Sequence, residues 1–222
     1  MTKQVVVEVI SDVTCPWCWV GKRSIEKAAS EQDIPLELHW RPFQLYPEMQ
    51  SPGPRVVDVL GKKFGSEVVR QWMQLPETIP LNRRSTASDL GLQFSLRGDA
   101  RTFNTYNCHL LLTYFGERQR DYKLQSDLQE VLFRRTHQEG RNLGVLSELV
   151  EATKEVGITR EEVQSILGDR DLQNFLDDVL RRTRLHPPRG FNGVPHFTFP
   201  NGQIISGSQN LCVFAEVLRK NV

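Results

Sequence analysis

Four residues, Cys15-Pro16-Trp17-Cys18, stand where one sequence pattern gives way to another, and this restricts the folds open to the chain. Residues 4–10 before them are largely β-branched and apolar. After them Trp19, Val20, Ile25, Ala28 and Ala29 recur at helical spacing, which predicts a strand, a short Ser11-Asp12-Val13-Thr14 loop and a helix. Proline is tolerated at the first helical position because its missing N–H would have had no intrahelical acceptor. Cys15 then falls at the N-cap with its sulfur toward the free N–H groups near Trp17 and Cys18. These groups and the positive end of the helix dipole favour thiolate over thiol. An exposed Cys15 is the expected nucleophile. Cys18, one helical turn on, is close enough for a disulfide and more shielded, which makes it the expected resolving thiol. The same spacing also serves metal ions, but a structural zinc site takes four ligands, often as two such pairs, and the sequence has no second pair.

Residues Leu36–Phe43 alternate apolar and polar and predict a second strand ending near Pro42, so the chain opens as a right-handed βαβ crossover with parallel strands. Beyond the turn-rich stretch Pro47–Pro54, strand patterns disappear until His186. Phe103, Leu110, Leu111 and Tyr114 share helical spacing, as do Leu124, Leu128, Val131 and Leu132, with Gly116 and Gly140 as expected helix ends. Thr159 and Glu162 form a capping box, and Asp169 precedes a helix carrying Leu172, Phe175, Leu176, Val179 and Leu180 that runs to Leu185. His186-Pro187-Pro188-Arg189-Gly190 breaks it. His196–Phe199 and Gln203–Ser206 then read as a hairpin, and a last helix over 209–220 presents Leu211, Phe214, Val217 and Leu218. The order βαβ, helices, ββα is that of two terminal pieces, residues 1–50 and 169–222, completing one sheet around an inserted all-helical domain, residues 51–168.

The 222 residues suffice for a large core, and 28 basic against 27 acidic side chains, a formal charge of +1, give no global field for nucleic acid or an anionic membrane. No apolar run approaches the roughly 18 residues that cross a bilayer. Glu8 and Asp12 interrupt the apolar stretch that a secretory signal would need, so the expected location is cytoplasmic. Four cysteines are too few for a secreted disulfide scaffold.

Ser11 to Cys18, Trp40-Arg41-Pro42-Phe43-Gln44-Leu45, Asn104-Thr105, His109-Leu110, Gly193-Val194-Pro195 and Ser206-Gly207-Ser208-Gln209 follow one another over nearly the whole length. In these residues the chain resembles the DsbA-like thioredoxin superfamily, and within it the FrnE-type branch. The resemblance implies an α/β thioredoxin fold with a helical insertion and disulfide exchange through Cys15 and Cys18. It also implies a cis Pro195 beside the nucleophilic sulfur, where the residues alone place a proline at a strand entrance in either isomer. Trp17 would form an apolar rim, and the Val194 backbone would align the substrate. The related 2-hydroxychromene-2-carboxylate isomerases and kappa-class glutathione transferases carry serine where Cys15 stands. They hold glutathione through the backbone before the proline and through a Ser-Asp pair, positions that fall here on Val194 and on Ser208-Gln209; Gln209 lacks the carboxylate. No metal and no tightly bound cofactor is implied. Glutathione enters as redox partner or cosubstrate, the substrate is a disulfide- or thiol-containing protein or small molecule, and a homodimer is compatible with the resemblance.

His109, on a helix, is a candidate polar wall of the site, although a helix histidine is more often a hydrogen-bonded surface or core residue. Ser11 and Asp12 are secondary candidates for influencing thiol protonation. Cys108 and Cys212, among apolar neighbours, read as packing residues; Trp40 and Phe43 read as core, and Arg181, Arg182, Arg184 and Arg189 as a solvated helix end and loop. Two competing functions stand beside oxidoreduction. One is a glutathione-dependent transferase or isomerase, and the other a redox-regulated chaperone or binding protein whose inserted helices hold a partner.

Overall fold

The computed structural model describes residues 4–74, 80–82, 85, 86, 88–95 and 99–222. The chain opens with β1 (Val5–Ser11), α1 (Pro16–Ser30) and β2 (Leu36–Pro42), and β1 and β2 pair in parallel from Val5 opposite Leu36 to Ser11 opposite Pro42. In β1 the period-two pattern buries Val5, Val7 and Val9 completely. Helices α2 (Val56–Phe64) and α3 (Ser66–Gln74) follow, then a short antiparallel pair, β3 (Pro80–Asn82) and β4 (Ser85–Thr86). Next come α4 (Tyr106–Thr113), α5 (Tyr122–His137), α6 (Leu146–Lys154), α7 (Arg160–Gly168) and α8 (Arg170–Leu185). The chain returns to the sheet as β5 (His196–Thr198) and β6 (Ile204–Ser206) and closes with α9 (Leu211–Arg219). The four-stranded sheet runs β2-β1-β5-β6, with β5 antiparallel to both β1 and β6, so the two ends of the chain complete one sheet across β1.

The insertion departs from the all-helical expectation in β3 and β4, strands of three and two residues that are too short to show alternation. Phe103 precedes α4 and packs into the helical core, and Tyr114 opens a π-helical turn, Tyr114–Gln119, instead of continuing α4. Gly116 lies inside that turn and ends no helix. A Cβ there would stand 2.2 Å from the Gln125 side-chain nitrogen, so glycine is what lets Gln125 approach. The Gln125 amide donates to the carbonyls of Trp40 (3.0 Å) and Leu112 (2.9 Å), and its oxygen accepts from the Trp40 N–H (3.0 Å). One buried side chain thus satisfies both backbone groups of Trp40 on the edge of β2 away from β1. The capping box forms as predicted, with the Thr159 hydroxyl accepting from the Glu162 N–H and Glu162 from the Thr159 N–H.

Two apolar cores result. The sheet core holds Val5, Val7, Val9, Trp19, Ile25, Phe197 and Phe214 between the sheet, α1 and α9. The helical core holds Leu110, Leu111, Leu128, Leu132, Leu149, Val163, Leu172 and Leu176; the last two belong to α8, which the sequence groups with the second sheet piece. Val13 also sits in the helical core, so the loop before Cys15 is anchored on the bundle. Glu130 of α5 ties the cores together: it accepts from Trp19 Nε1 (3.0 Å) and Arg23 Nη2 (2.6 Å) and pairs with the buried Lys22 (3.0 Å), all on α1. Gly21 brings α1 onto β5, because a Cβ at this position would lie 2.8 Å from the Phe197 ring and 3.2 Å from Pro195. By contrast, α2 has no buried residue and α3 only Val69.

Candidate active site

Cys15 caps α1 with extended backbone (φ −91°, ψ 108°) and Pro16 occupies the first helical position, as the sequence predicts. The sulfur does otherwise. It takes no N–H from the first turn and lies instead 3.7 Å from the Val194 carbonyl, to which its S–H donates. It is also less exposed than expected, with Cys15 at 5% and Cys18 at 0% accessibility, because Val194, brought up by β5, covers it. Both cysteines are free. Burial pushes the Cys18 thiol well up, and its hydrogen bond to Cys15 pushes it further, so Cys18 keeps its proton while Cys15 alone faces the cleft.

The Val194-Pro195 peptide is cis, and Pro195 is held from the other side by the Gly207 N–H donating to its carbonyl (2.8 Å). Ser208 and Gln209 reach the same cleft, although the Gln209 amide donates back to the Ser206 carbonyl (3.2 Å) and so is tied to its own loop. Trp17 lines the rim, its ring 5.6 Å from that of Phe64. His109 does not join them. It is buried behind the motif, its Nε2 3.5 Å from Asp12 Oδ1, because its face of α4 turns toward β2 and the loop rather than the cleft. Asp12 is buried as well and accepts from the Leu45 N–H (2.7 Å) and from Thr14 N–H and hydroxyl (3.3 and 3.2 Å). Burial alone would raise its carboxyl, but His109, the Leu45 amide and Thr105 outweigh that and hold it below its ordinary value. The carboxylate thereby shapes the turn that delivers Cys15.

The cleft encloses about 870 Å³, with Cys15 in its floor. It is lined by Trp17, Val194, Ser208 and Gln209 and by Val56, Val59, Leu60 and Phe64 of α2, with the Trp17 and Phe64 rings packed against each other. His137, the last residue of α5, lines one end; it was not singled out in the sequence, where it looks like a basic helix terminus. Its Nε2 lies 2.9 Å from the Val13 carbonyl, so that nitrogen carries the proton, and its ring packs among Trp19, Phe94 and Phe133. Burial drives His137 down to about 4 against the opposing pull of Val13 and Asp12, and the ring is neutral at ordinary pH.

The remaining expectations divide. Trp40 and Cys108 are buried as packing residues, whereas Cys212 is exposed, since the buried face of α9 carries Phe214, Val217 and Leu218. Arg181 and Arg182 pair with Asp178 at the surface, but Arg184 reaches back to donate to the Gln44 carbonyl (2.7 Å) with its guanidinium over Phe43. Among the described residues no group of three or more His, Cys, Asp or Glu side chains is placed to hold a metal ion, and no helix is long and apolar enough to cross a membrane.

With β5 laid antiparallel on β1 and the dithiol opening α1, the architecture is that of a thioredoxin-fold protein. The DSBA-like thioredoxin domain matches residues 6–219, and the chain belongs to this family. It is 25% identical over 215 residues to the uncharacterized protein YwbO of Bacillus subtilis, covering 96% of this chain and 94% of that one. The crystal structure of SCO1869 from Streptomyces coelicolor, described as a probable DsbA oxidoreductase, superposes with a TM-score of 0.79 at 26% identity, covering 98% of this chain and 89% of its own. A 2-hydroxychromene-2-carboxylate isomerase shares the fold at a TM-score of 0.64 and 14% identity, over 97% of this chain and 95% of that one.

Proposed function

We propose that the protein is a thiol–disulfide oxidoreductase of the FrnE type that works through Cys15 and Cys18. The observation that carries this reading is the unequal placement of the two sulfurs, Cys15 in the floor of the cleft and Cys18 fully buried behind it with its proton retained. In the reducing direction the Cys15 thiolate attacks a substrate disulfide, forms a mixed disulfide and expels one substrate half as a thiolate. Cys18 then loses its proton and attacks Cys15, releasing the second half. Two electrons have passed to the substrate and the protein holds a Cys15–Cys18 disulfide. Two substrate thiols, glutathione among them, run the sequence backward. Val194 supports substrate alignment through its carbonyl, which is already within reach of the Cys15 sulfur.

Equilibrating the protein in glutathione buffers of varied ratio, followed by thiol trapping and mass measurement, tests the couple. The expected result is one reversible two-electron transition between free thiols and a Cys15–Cys18 disulfide. In Cys18→Ser the exchange stops at the first step, so a mixed disulfide accumulates at Cys15, whereas Cys15→Ser forms neither species. Absence of the intramolecular disulfide at every ratio would remove this reading.

A further inference from the structure

The cleft is one-sided in charge. Lys63 and Arg101 line it and no carboxylate does, among the described residues. His137, neutral through burial, adds no charge at ordinary pH. The Lys63 ammonium is held 5.5 Å from the Trp17 ring centroid and 5.4 Å from that of Phe64, so a cation is parked on the aromatic rim next to Cys15. Arg101 is fixed by donating to the Gly53 carbonyl (3.1 Å). Asp58, which feels Arg101, is already bonded twice by Arg55 at 2.8 Å and stands outside the cleft. The α2 lining is aliphatic and aromatic: Val56, Val59, Leu60 and Phe64 on a helix that buries nothing in the protein core. The cleft's volume of about 870 Å³ falls within the range of small-molecule sites, on the order of 300–1,000 Å³.

We propose that the substrate is a small disulfide or thiol joining an apolar, ring-sized group to a carboxylate, with its sulfur at Cys15, its apolar body against α2 and its carboxylate at Lys63 and Arg101. This rests on the dithiol reading and adds the substrate class to it. The chemistry is the exchange described above: Cys15 takes one half of the disulfide, the other leaves as a thiolate, Cys18 displaces the bound half, and the two protons of the dithiol go to solvent.

The test uses the reduced full-length protein and three small disulfides: dithiobis(nitrobenzoate), an anionic aromatic; dithiodipyridine, an uncharged aromatic; and cystamine, a cationic aliphatic. Insulin serves as a protein disulfide. Each rate is divided by that of the same disulfide with dithiothreitol, which cancels intrinsic reactivity. The normalised rate for the nitrobenzoate is expected to exceed that for cystamine by about tenfold and to fall as salt is raised. Lys63→Glu and Arg101→Gln are each expected to lower the nitrobenzoate-to-dipyridine ratio by roughly fivefold, the scale of one exposed charge pair. Equal normalised rates across the three probes overturn the proposal, as does a Lys63→Glu variant that slows all of them alike, or insulin outrunning every small disulfide. If no probe oxidises Cys15, the dithiol reading itself falls and this proposal with it.

Discussion

Two helical parts of the chain are built on opposite terms. The helices from α4 to α8 enclose an apolar core in which Leu110, Leu128, Leu132, Leu149 and Leu172 are almost wholly buried. α2 carries Val56, Val59 and Leu60 at the same helical spacing and buries none of them. Apolar periodicity in the first case stabilises the fold, at about 1.5–3 kcal/mol for each large side chain removed from water. In the second it supplies part of the lining of the cleft. The difference teaches that an amphipathic pattern states which face is apolar and says nothing of whether protein or ligand will cover it.

The comparison can be broken by mutation. Leu132→Ala should cost about 2–5 kcal/mol in denaturant unfolding, since the bundle cannot collapse around the lost volume. A loss below about 1 kcal/mol would mean that the bundle is as loosely filled as α2. His137 gives the next largest effect. Its folded value near 4 lies below its unfolded 6.5, so its contribution is fully present above pH 6.5 and is lost as the pH falls toward 4. The expected loss is roughly 2–3 kcal/mol across that window, and His137→Phe should flatten the slope. Asp12 acts at lower pH: its folded value is depressed, so its contribution holds above its ordinary titration range and disappears as acid protonates it. The smallest stability effect belongs to Leu60→Ala, below about 1 kcal/mol by the same unfolding measurement. Its exchange rate with an aromatic disulfide should nevertheless fall severalfold, and an unchanged rate would place the substrate away from α2.

The terminal elements were legible because each has its own local signal: alternation in residues 5–11 and 36–42, a proline-opened helix at Cys15, and a turn between two short β-rich runs near the end. The capping box at Thr159 was legible for the same reason, as two side chains three residues apart satisfy each other. What escaped was set by distant partners. Gly116 looks like a helix stop until Gln125 is seen against it, and His109 looks like a site wall until α4 is known to turn it onto Asp12. Cys212 and Cys108 have similar neighbours in sequence and opposite exposure in the fold, because α4 is buried over every residue from Cys108 to Thr113 whereas α9 buries only the face of Phe214, Val217 and Leu218. His137 and the α2 wall of the cleft are brought to Cys15 by packing across more than one element, and no spacing in the sequence reports that.

The sulfur of Cys15 and the carbonyl that faces it lie 179 residues apart. At ribosomal speeds of about 5–20 residues per second, that interval takes roughly 10–35 s to synthesise. The dithiol therefore emerges early, just after a strand whose second neighbour in the sheet has not yet been made. For that period it is a pair of thiols without the Val194 carbonyl that covers Cys15 in the finished cleft. The cover over Cys15 is therefore made well after Lys63 and Arg101, so the order of synthesis supplies the charge of the cleft before its closure.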